Sequence, residues 1–173
     1  MVLKRALYVG RFQPFHLGHL AALKHILSNH SEAIIAIGSA QHSHTIDNPF
    51  TLGERIEMIF MTLKYEKLYD RVIITSVPDV EKHYLWVDLV IQNSPEFNVV
   101  YSNEFLTRLL FMERNFEVRN IPFFDRDRYE ATKIRQLMAN DKDWVELVPK
   151  PVADYILSKK LDLRVKRIFN RNV

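Results

Sequence analysis

Two histidines three residues apart, His16 and His19, follow a glycine and proline turn in the string Gly10-Arg11-Phe12-Gln13-Pro14-Phe15-His16-Leu17-Gly18-His19. The apolar run Ala6-Leu7-Tyr8-Val9 stands just before it, so the segment reads as a strand, a turn and the opening of a helix. The first N–H groups of a helix have no intrahelical partners, and the helix dipole favours negative charge there. Two imidazoles on one helix face, with the Arg11 guanidinium beside them, therefore make a phosphate-handling site. The chain has no Gly-Lys-Ser/Thr of a Walker loop at this place and no Gly-x-Gly-x-x-Gly of a dinucleotide fingerprint.

The spacing Gly-x-Phe-x-Pro-x-His-x-Gly-His fixes six positions, and a chance match is on the order of one in 10^8 per start position. Gly10 lets the chain leave the strand with no side chain in a ligand's way. Pro14 fixes its own φ and withholds an N–H. Gly18 permits close approach of the helix to a strand or a phosphate. Zinc is the competing use of two histidines, but a structural zinc site needs four ligands and the chain has no cysteine to complete one.

Several element patterns must position these groups. Short apolar runs rich in Val and Ile predict strands over 6–9, 33–37, 72–76, 98–101 and 116–119. Helical spacing predicts helices over 16–28, 84–92, 104–114, 131–138 and 151–160, with Pro151 in a first turn. Thr51 with Glu54 three residues on predicts a capping box, opening a helix with Leu52, Ile56, Ile59, Phe60 and Leu63 as its apolar stripe. This alternation predicts an α/β fold: a Rossmann-like, doubly wound parallel sheet of five or six strands with helices on both faces. Ligands of such sheets bind beyond the carboxyl ends of the strands, where strand order reverses. That gathers the loops starting near Gly10, Gly38, Val77, Ser102 and Asn120. The long loop over 38–50 is expected to be functional.

The 173 residues suit a single domain over 1–173, and 47% apolar content suffices for a core. Zero cysteines exclude disulfides, thiolate metal sites and a cysteine nucleophile. Gly10 and Arg11 interrupt the first apolar run, so no secretory signal is expected, no apolar run reaches a membrane span, and the expected location is cytoplasmic. The net charge of +3 suits anionic substrates. Part of it is local: over 158–173, Lys159, Lys160, Arg164, Lys166, Arg167 and Arg171 face only Asp162. A helical tail with Leu161, Leu163, Val165 and Ile168 against the body or a neighbouring subunit is favoured over an RNA-binding tail.

The opening string resembles the signature of the nucleotidylyltransferase superfamily, and most closely its archaeal-type nicotinamide mononucleotide (NMN) adenylyltransferases. Three further strings resemble the same subfamily: Gly38-Ser39-Ala40-Gln41-x-Ser43-His44-Thr45, Asn48-Pro49-Phe50-Thr51-x-Gly53-Glu54-Arg55 and Trp144-x-x-Leu147-Val148-Pro149. So does a second phosphate signature, carried by Thr132, Ile134 and Arg135 within Arg126-Asp127-Arg128-Tyr129-Glu130-Ala131-Thr132-Lys133-Ile134-Arg135. The resemblance runs from about residue 5 to about residue 160.

The resemblance implies attack of the NMN 5′-phosphate on the α-phosphorus of ATP, giving NAD and pyrophosphate. It implies His16, His19, Arg11 and Arg135 as the catalytic set, with Gly10, Phe12, Gly18, Ser39, Thr132 and Ile134 around the ATP phosphates. Gly38, Gln41, Ser102 and Asn103 then border adenine and ribose, and Val80, His83 and Trp86 border the nicotinamide. Mg2+ is expected to arrive with ATP and to take no protein ligand. Homo-oligomers are common among such relatives, and neither a nucleic-acid nor a membrane partner is expected. Trp86 offers a face for a cationic pyridinium, with ordinary core packing as the other use of the ring. The chain departs from the pattern at Glu130 and Ala131, where relatives carry Ser and then Gly or Ser. It departs at Asp47, where some carry a phosphate-contacting arginine, and at His83, where an asparagine is common. Two other readings stay open: a superfamily member with a different phosphate acceptor, and a non-catalytic nucleotide- or RNA-binding paralogue.

Overall fold

A computed structural model describes residues 5–122 and 128–171. Five strands form one sheet: β1 (Arg5–Gly10), β2 (Glu32–Ile37), β3 (Val72–Ser76), β4 (Val99–Tyr101) and β5 (Glu117–Arg119). Their order is β3-β2-β1-β4-β5 and every pairing is parallel. Order reverses between β1 and β4, so the loops leaving these two strands flank the natural ligand crevice. The expected doubly wound sheet is present, with five strands among the described residues.

Among the described residues, seven α-helices alternate with or follow these strands: α1 (Leu17–Asn29), α2 (Leu52–Tyr65), α3 (His83–Gln92), α4 (Phe105–Glu113), α5 (Ala131–Ala139), α6 (Lys150–Ser158) and α7 (Leu161–Asn170). Alternation along the strands sorts them into two layers. Ala6, Tyr8, Ala33, Ile35 and Ile37 face a core shared with α1, α2, α5, α6 and α7. Leu7, Ile34, Ala36 and Val100 face the other core, closed by Val87 and Val90 of α3 and Phe111 of α4.

One expectation needs correction. The inward face of α2 is Arg55, Met58, Ile59, Thr62 and Leu63, not a stripe through Ile56, which lies at the surface with Leu52 and Phe60 only half-buried. The reason is polar: the Arg55 side chain finds carbonyl acceptors inside and turns that face of the helix inward. The basic tail packs on the body as a helix, as expected, with Leu163 alone of its four apolar residues left outside. Lys160 takes a left-handed φ of 55°, ending α6 and starting α7. Leu161 and Val165 are buried and α7 packs on α5, while Leu163 stays exposed. Two of the tail's cations are held by body carboxylates: Arg164 pairs with Glu54 at 2.7 and 2.8 Å, and Lys166 pairs with Asp141. Glu54 is also the far half of the Thr51 capping box, 2.9 Å from the Thr51 N–H, so α7 clasps the start of α2. No helix among the described residues is long and apolar enough to cross a membrane.

Candidate functional site

His16 is the N-cap of α1 and His19 its third residue. The His19 N–H donates to Nδ1 of His16, and the His16 N–H donates to Nδ1 of His19, each at 3.2 Å. Histidines here do the work that Ser/Thr and Glu do in an ordinary capping box. The rings stack with centroids 3.5 Å apart and planes 19° from parallel. Because both Nδ1 atoms accept, each neutral ring carries its proton on Nε2. Burial pushes the His16 pKa down to about 3. Burial, then the neighbouring His16, holds His19 well below the usual imidazole range. The site therefore holds two neutral, pre-oriented Nε2–H donors. Phe12 and Phe15 wall the His19 ring at 4.9 and 5.5 Å between centroids.

Leaving β1 and β2, the chain enters the left-handed region at two non-glycine residues: Phe12 (φ 53°) and Ser39 (φ 49°). Such conformations cost free energy and persist where surroundings hold them. Arg55 is what holds both. It is fully buried, and its guanidinium donates to the carbonyls of Arg11 (3.0 Å), Gly38 (2.9 Å) and Ser39 (3.1 Å). Burial, with Arg11 adding to it, lowers its pKa to about 10. Sequence reading gave Arg55 no role. Its signals in the sequence are its place at the end of the Asn48–Arg55 string and a charge inside an apolar helical face.

A cavity of about 360 Å³ opens above these loops, lined by Arg11, His16, Gly18 and His19 on one side and by Asn103 and the 129–132 segment on the other. Arg135 and Thr132 close it. Arg11 is exposed there. Arg135 is 1% exposed: Nε donates to the Ile46 carbonyl (2.9 Å) and Nη1 to the Gln13 carbonyl (3.0 Å). Its Nη2 edge has longer contacts, to Asp47 Oδ1 at 3.4 Å and to the Thr132 hydroxyl at 3.3 Å. Burial and Arg11 lower the Arg135 pKa, against the pull of Asp47 and Glu130. A Cβ on Gly18 would stand 2.9 Å from Cβ of Tyr129 and 3.0 Å from the His16 ring, so glycine lets the second segment lie against the histidines. On Gly10 a Cβ would meet the Phe12 ring at 2.8 Å. Arg126 and Asp127 lie outside the described residues.

Three side-chain amides bind the loops together by reciprocal bonds to backbone. Gln13 exchanges two 3.0 Å bonds with Phe50, Gln41 bonds Asp79 at 2.9 and 3.0 Å, and Asn103 bonds Ile121 at 2.8 and 2.9 Å. Gln41 and Asn103, read as adenine-side residues, thus also fix loop positions. Ser102 is buried, its hydroxyl accepting from the Glu104 N–H at 3.1 Å and its carbonyl from Arg108 at 2.9 Å. Phe12 and Ile134 are core residues behind the cavity wall. Gly38 and Ser39 are buried and face Arg55 through their carbonyls.

A second cavity, about 190 Å³, is lined by Asp79, Val80, His83, Trp86, Leu106, Thr107 and Leu110. It thus brings together Val80, His83 and Trp86. Trp86 is half-buried and meets Phe111 edge-on, with centroids 5.9 Å apart. The two cavities flank the start of α4: Asn103, just before it, lines the first, and Leu106 and Thr107 in its first turn line the second. Among the described residues, no group of three or more His, Asp or Glu is placed to hold a metal ion.

Comparison with known proteins gives four findings. The Cytidylyltransferase-like family matches residues 7–137. The chain is 48% identical over 153 residues to the nicotinamide-nucleotide adenylyltransferase of Thermoplasma acidophilum, covering 88% of this chain and 85% of that one. To that of Saccharolobus solfataricus it is 44% identical over 167 residues, covering 96% and 97%. The fold is similar to a bifunctional NMN adenylyltransferase/ADP ribose pyrophosphatase from Francisella tularensis, solved with AMP and a manganese ion: TM-score 0.78, 23% identity, 98% of this chain. The chain spans about half of that protein's length, 54%.

Proposed function

The chain belongs to the Cytidylyltransferase-like family, among relatives that are archaeal nicotinamide-nucleotide adenylyltransferases, and on that premise we propose how its residues make NAD. It is a nucleotidyltransferase of NAD biosynthesis. In the reaction we infer, the 5′-phosphate of NMN attacks the α-phosphorus of ATP in line, the P–O bond to the β-phosphate breaks, and pyrophosphate leaves.

The observation that carries this reading is the histidine pair, two neutral Nε2–H donors held at a helix start on the wall of a cavity with Arg11 and Arg135. The nucleophile is already anionic, so no general base is needed. Catalysis is positioning plus donors aimed at developing charge. His19 donates to the α-phosphate oxygens and His16 to the leaving side. Arg11 and the Nη2 edge of Arg135 hold the polyphosphate, with the Thr132 hydroxyl beside them. The backbone at Gly10 and Gly18 gives the phosphates room. Gly38, Gln41, Ser102 and Asn103 border the adenosine, while Val80, His83 and Trp86 enclose the nicotinamide in the second cavity.

The cavity's charged groups fit a metal carried by the substrate: cationic and neutral donors dominate its wall. When bound, Mg2+ neutralises charge on the phosphate oxygens. We also propose magnesium as the physiological metal, the cytoplasm as the location, a homo-oligomer as the working form, and no nucleic-acid or membrane partner. The capture of Arg164 and Lys166 by Glu54 and Asp141 supports an architectural use of the basic tail over an RNA-binding one.

The test is NAD formation by the purified protein with ATP, Mg2+ and NMN, with pyrophosphate release followed for nicotinic acid mononucleotide, flavin mononucleotide and phosphopantetheine. NAD formation faster than any other product supports the reading. Turnover only with another acceptor overturns the substrate, and ATP binding without turnover overturns the enzyme.

A further inference from the structure

We propose that the Asp47 carboxylate is a built-in competitor of the polyphosphate: it pairs with the Nη2 edge of Arg135, a residue of the cavity wall, and ATP must displace it. The inference rests on the reading of this cavity as the polyphosphate site.

The case is made by how the Arg135 donors are distributed. Nε and Nη1 are committed to the carbonyls of Ile46 and Gln13 at 2.9 and 3.0 Å, and cannot leave without moving two loops. Nη2 alone has loose contacts, 3.4 Å to Asp47 and 3.3 Å to Thr132. Charge-assisted bonds to arginine run nearer 2.7–2.9 Å, so this edge is the exchangeable one.

Asp47 is built to exchange. Its side chain is 70% exposed, so water solvates the carboxylate once it lets go. It sits in a small turn closed by the Thr45 N–H on the Asn48 carbonyl (3.2 Å) and the Asn48 N–H on the Thr45 hydroxyl (3.1 Å). The adjoining Ile46 carbonyl is itself bound by Arg135, so the turn keeps the carboxylate near the guanidinium. Asp47 and Glu130 both pull on the charge of Arg135. A polyphosphate bound at Nη2 replaces Asp47 and then meets its uncompensated negative charge nearby. ATP affinity is therefore lower than the guanidinium alone allows, and the returning carboxylate helps eject pyrophosphate.

Asp47→Asn keeps the shape and removes the charge, and Asp47→Ala removes both. An exposed ion pair sets the scale, so the Kd of inorganic tripolyphosphate by calorimetry and the KM for ATP should each fall about two- to fivefold in both variants. The KM for NMN should stay within about twofold. Affinity for tripolyphosphate that is unchanged or weaker in the variants overturns the proposal; weaker binding makes Asp47 a ligand-holding residue instead. If the unaltered protein makes NAD and the variants behave like it, this inference alone falls. If the unaltered protein neither binds tripolyphosphate nor makes NAD, the reading of the cavity falls and takes the inference with it.

Discussion

The guanidinium of Arg55 lies 3.0 Å from the carbonyl oxygen of Arg11, 44 positions earlier in the chain, and by the same fork reaches Gly38 and Ser39. One buried cation thus sets the path of the loops leaving β1 and β2, each strained at a left-handed residue. Lysine keeps the charge but has no planar fork. Arg55→Lys should leave buried carbonyls unpaired and cost about 2–4 kcal/mol of stability by denaturant unfolding. The ATP KM should rise with it, and a variant as stable as the parent removes Arg55 from this role.

The histidine pair separates capping from donation. His16→Asn keeps an acceptor suited to the N-cap and loses the Nε2–H, whereas His16→Ala loses both. The asparagine variant should be about 1 kcal/mol more stable than the alanine one. Both should turn over about 10^2-fold more slowly than the parent. His19→Ala should also lose about 10^2-fold or more. Full turnover in His16→Asn would show that only the cap matters.

Acid should unfold the protein through the same two rings. Their folded pKa values lie below the ordinary 6.5, to about 3 for His16, so between those values the unfolded chain binds more protons. Stability is then complete above pH 6.5 and falls as pH drops toward 3. Each ring contributes up to about 1.4 kcal/mol per pH unit. Denaturant unfolding from pH 7 to pH 4 reads this directly, and His16→Asn should flatten the slope. Parallel slopes in the two proteins would mean that His16 titrates normally in the folded state.

Trp86 is the largest side chain lining the second cavity. Trp86→Ala should raise the KM for NMN about 3- to 30-fold, the range for a cation on an indole, while the KM for ATP moves far less. Equal changes in both constants would point to general damage through the lost contact with Phe111.

Much of this molecule was legible in its residues, and the limits are local ones. Strands rich in Val and Ile announced themselves within a residue or so, and Thr51 with Glu54 opens α2 as its spacing required. His16 and His19 could be placed at a helix start, but not as each other's caps, because imidazoles rarely take that part. Arg55 was missed because its partners come from distant loops, which local periodicity does not see. Gln41 and Asn103 were assigned to ligand, and their reciprocal bonds to Asp79 and Ile121 depend on how loops meet across the sheet. The resemblance places Arg135 in the catalytic set; that two of its nitrogens hold backbone is something only the folded loops reveal.

Glu54 answers to Thr51 on its own helix and to Arg164 on the last one. The C-terminal segment is thereby tied to the helix that carries Arg55, and so to the loops leaving β1 and β2. Inheritance should feel that tie. A lineage that trims residues 161–171 has to find Glu54 another counterion or give up the carboxylate, and positions 54 and 164 should change together across related chains.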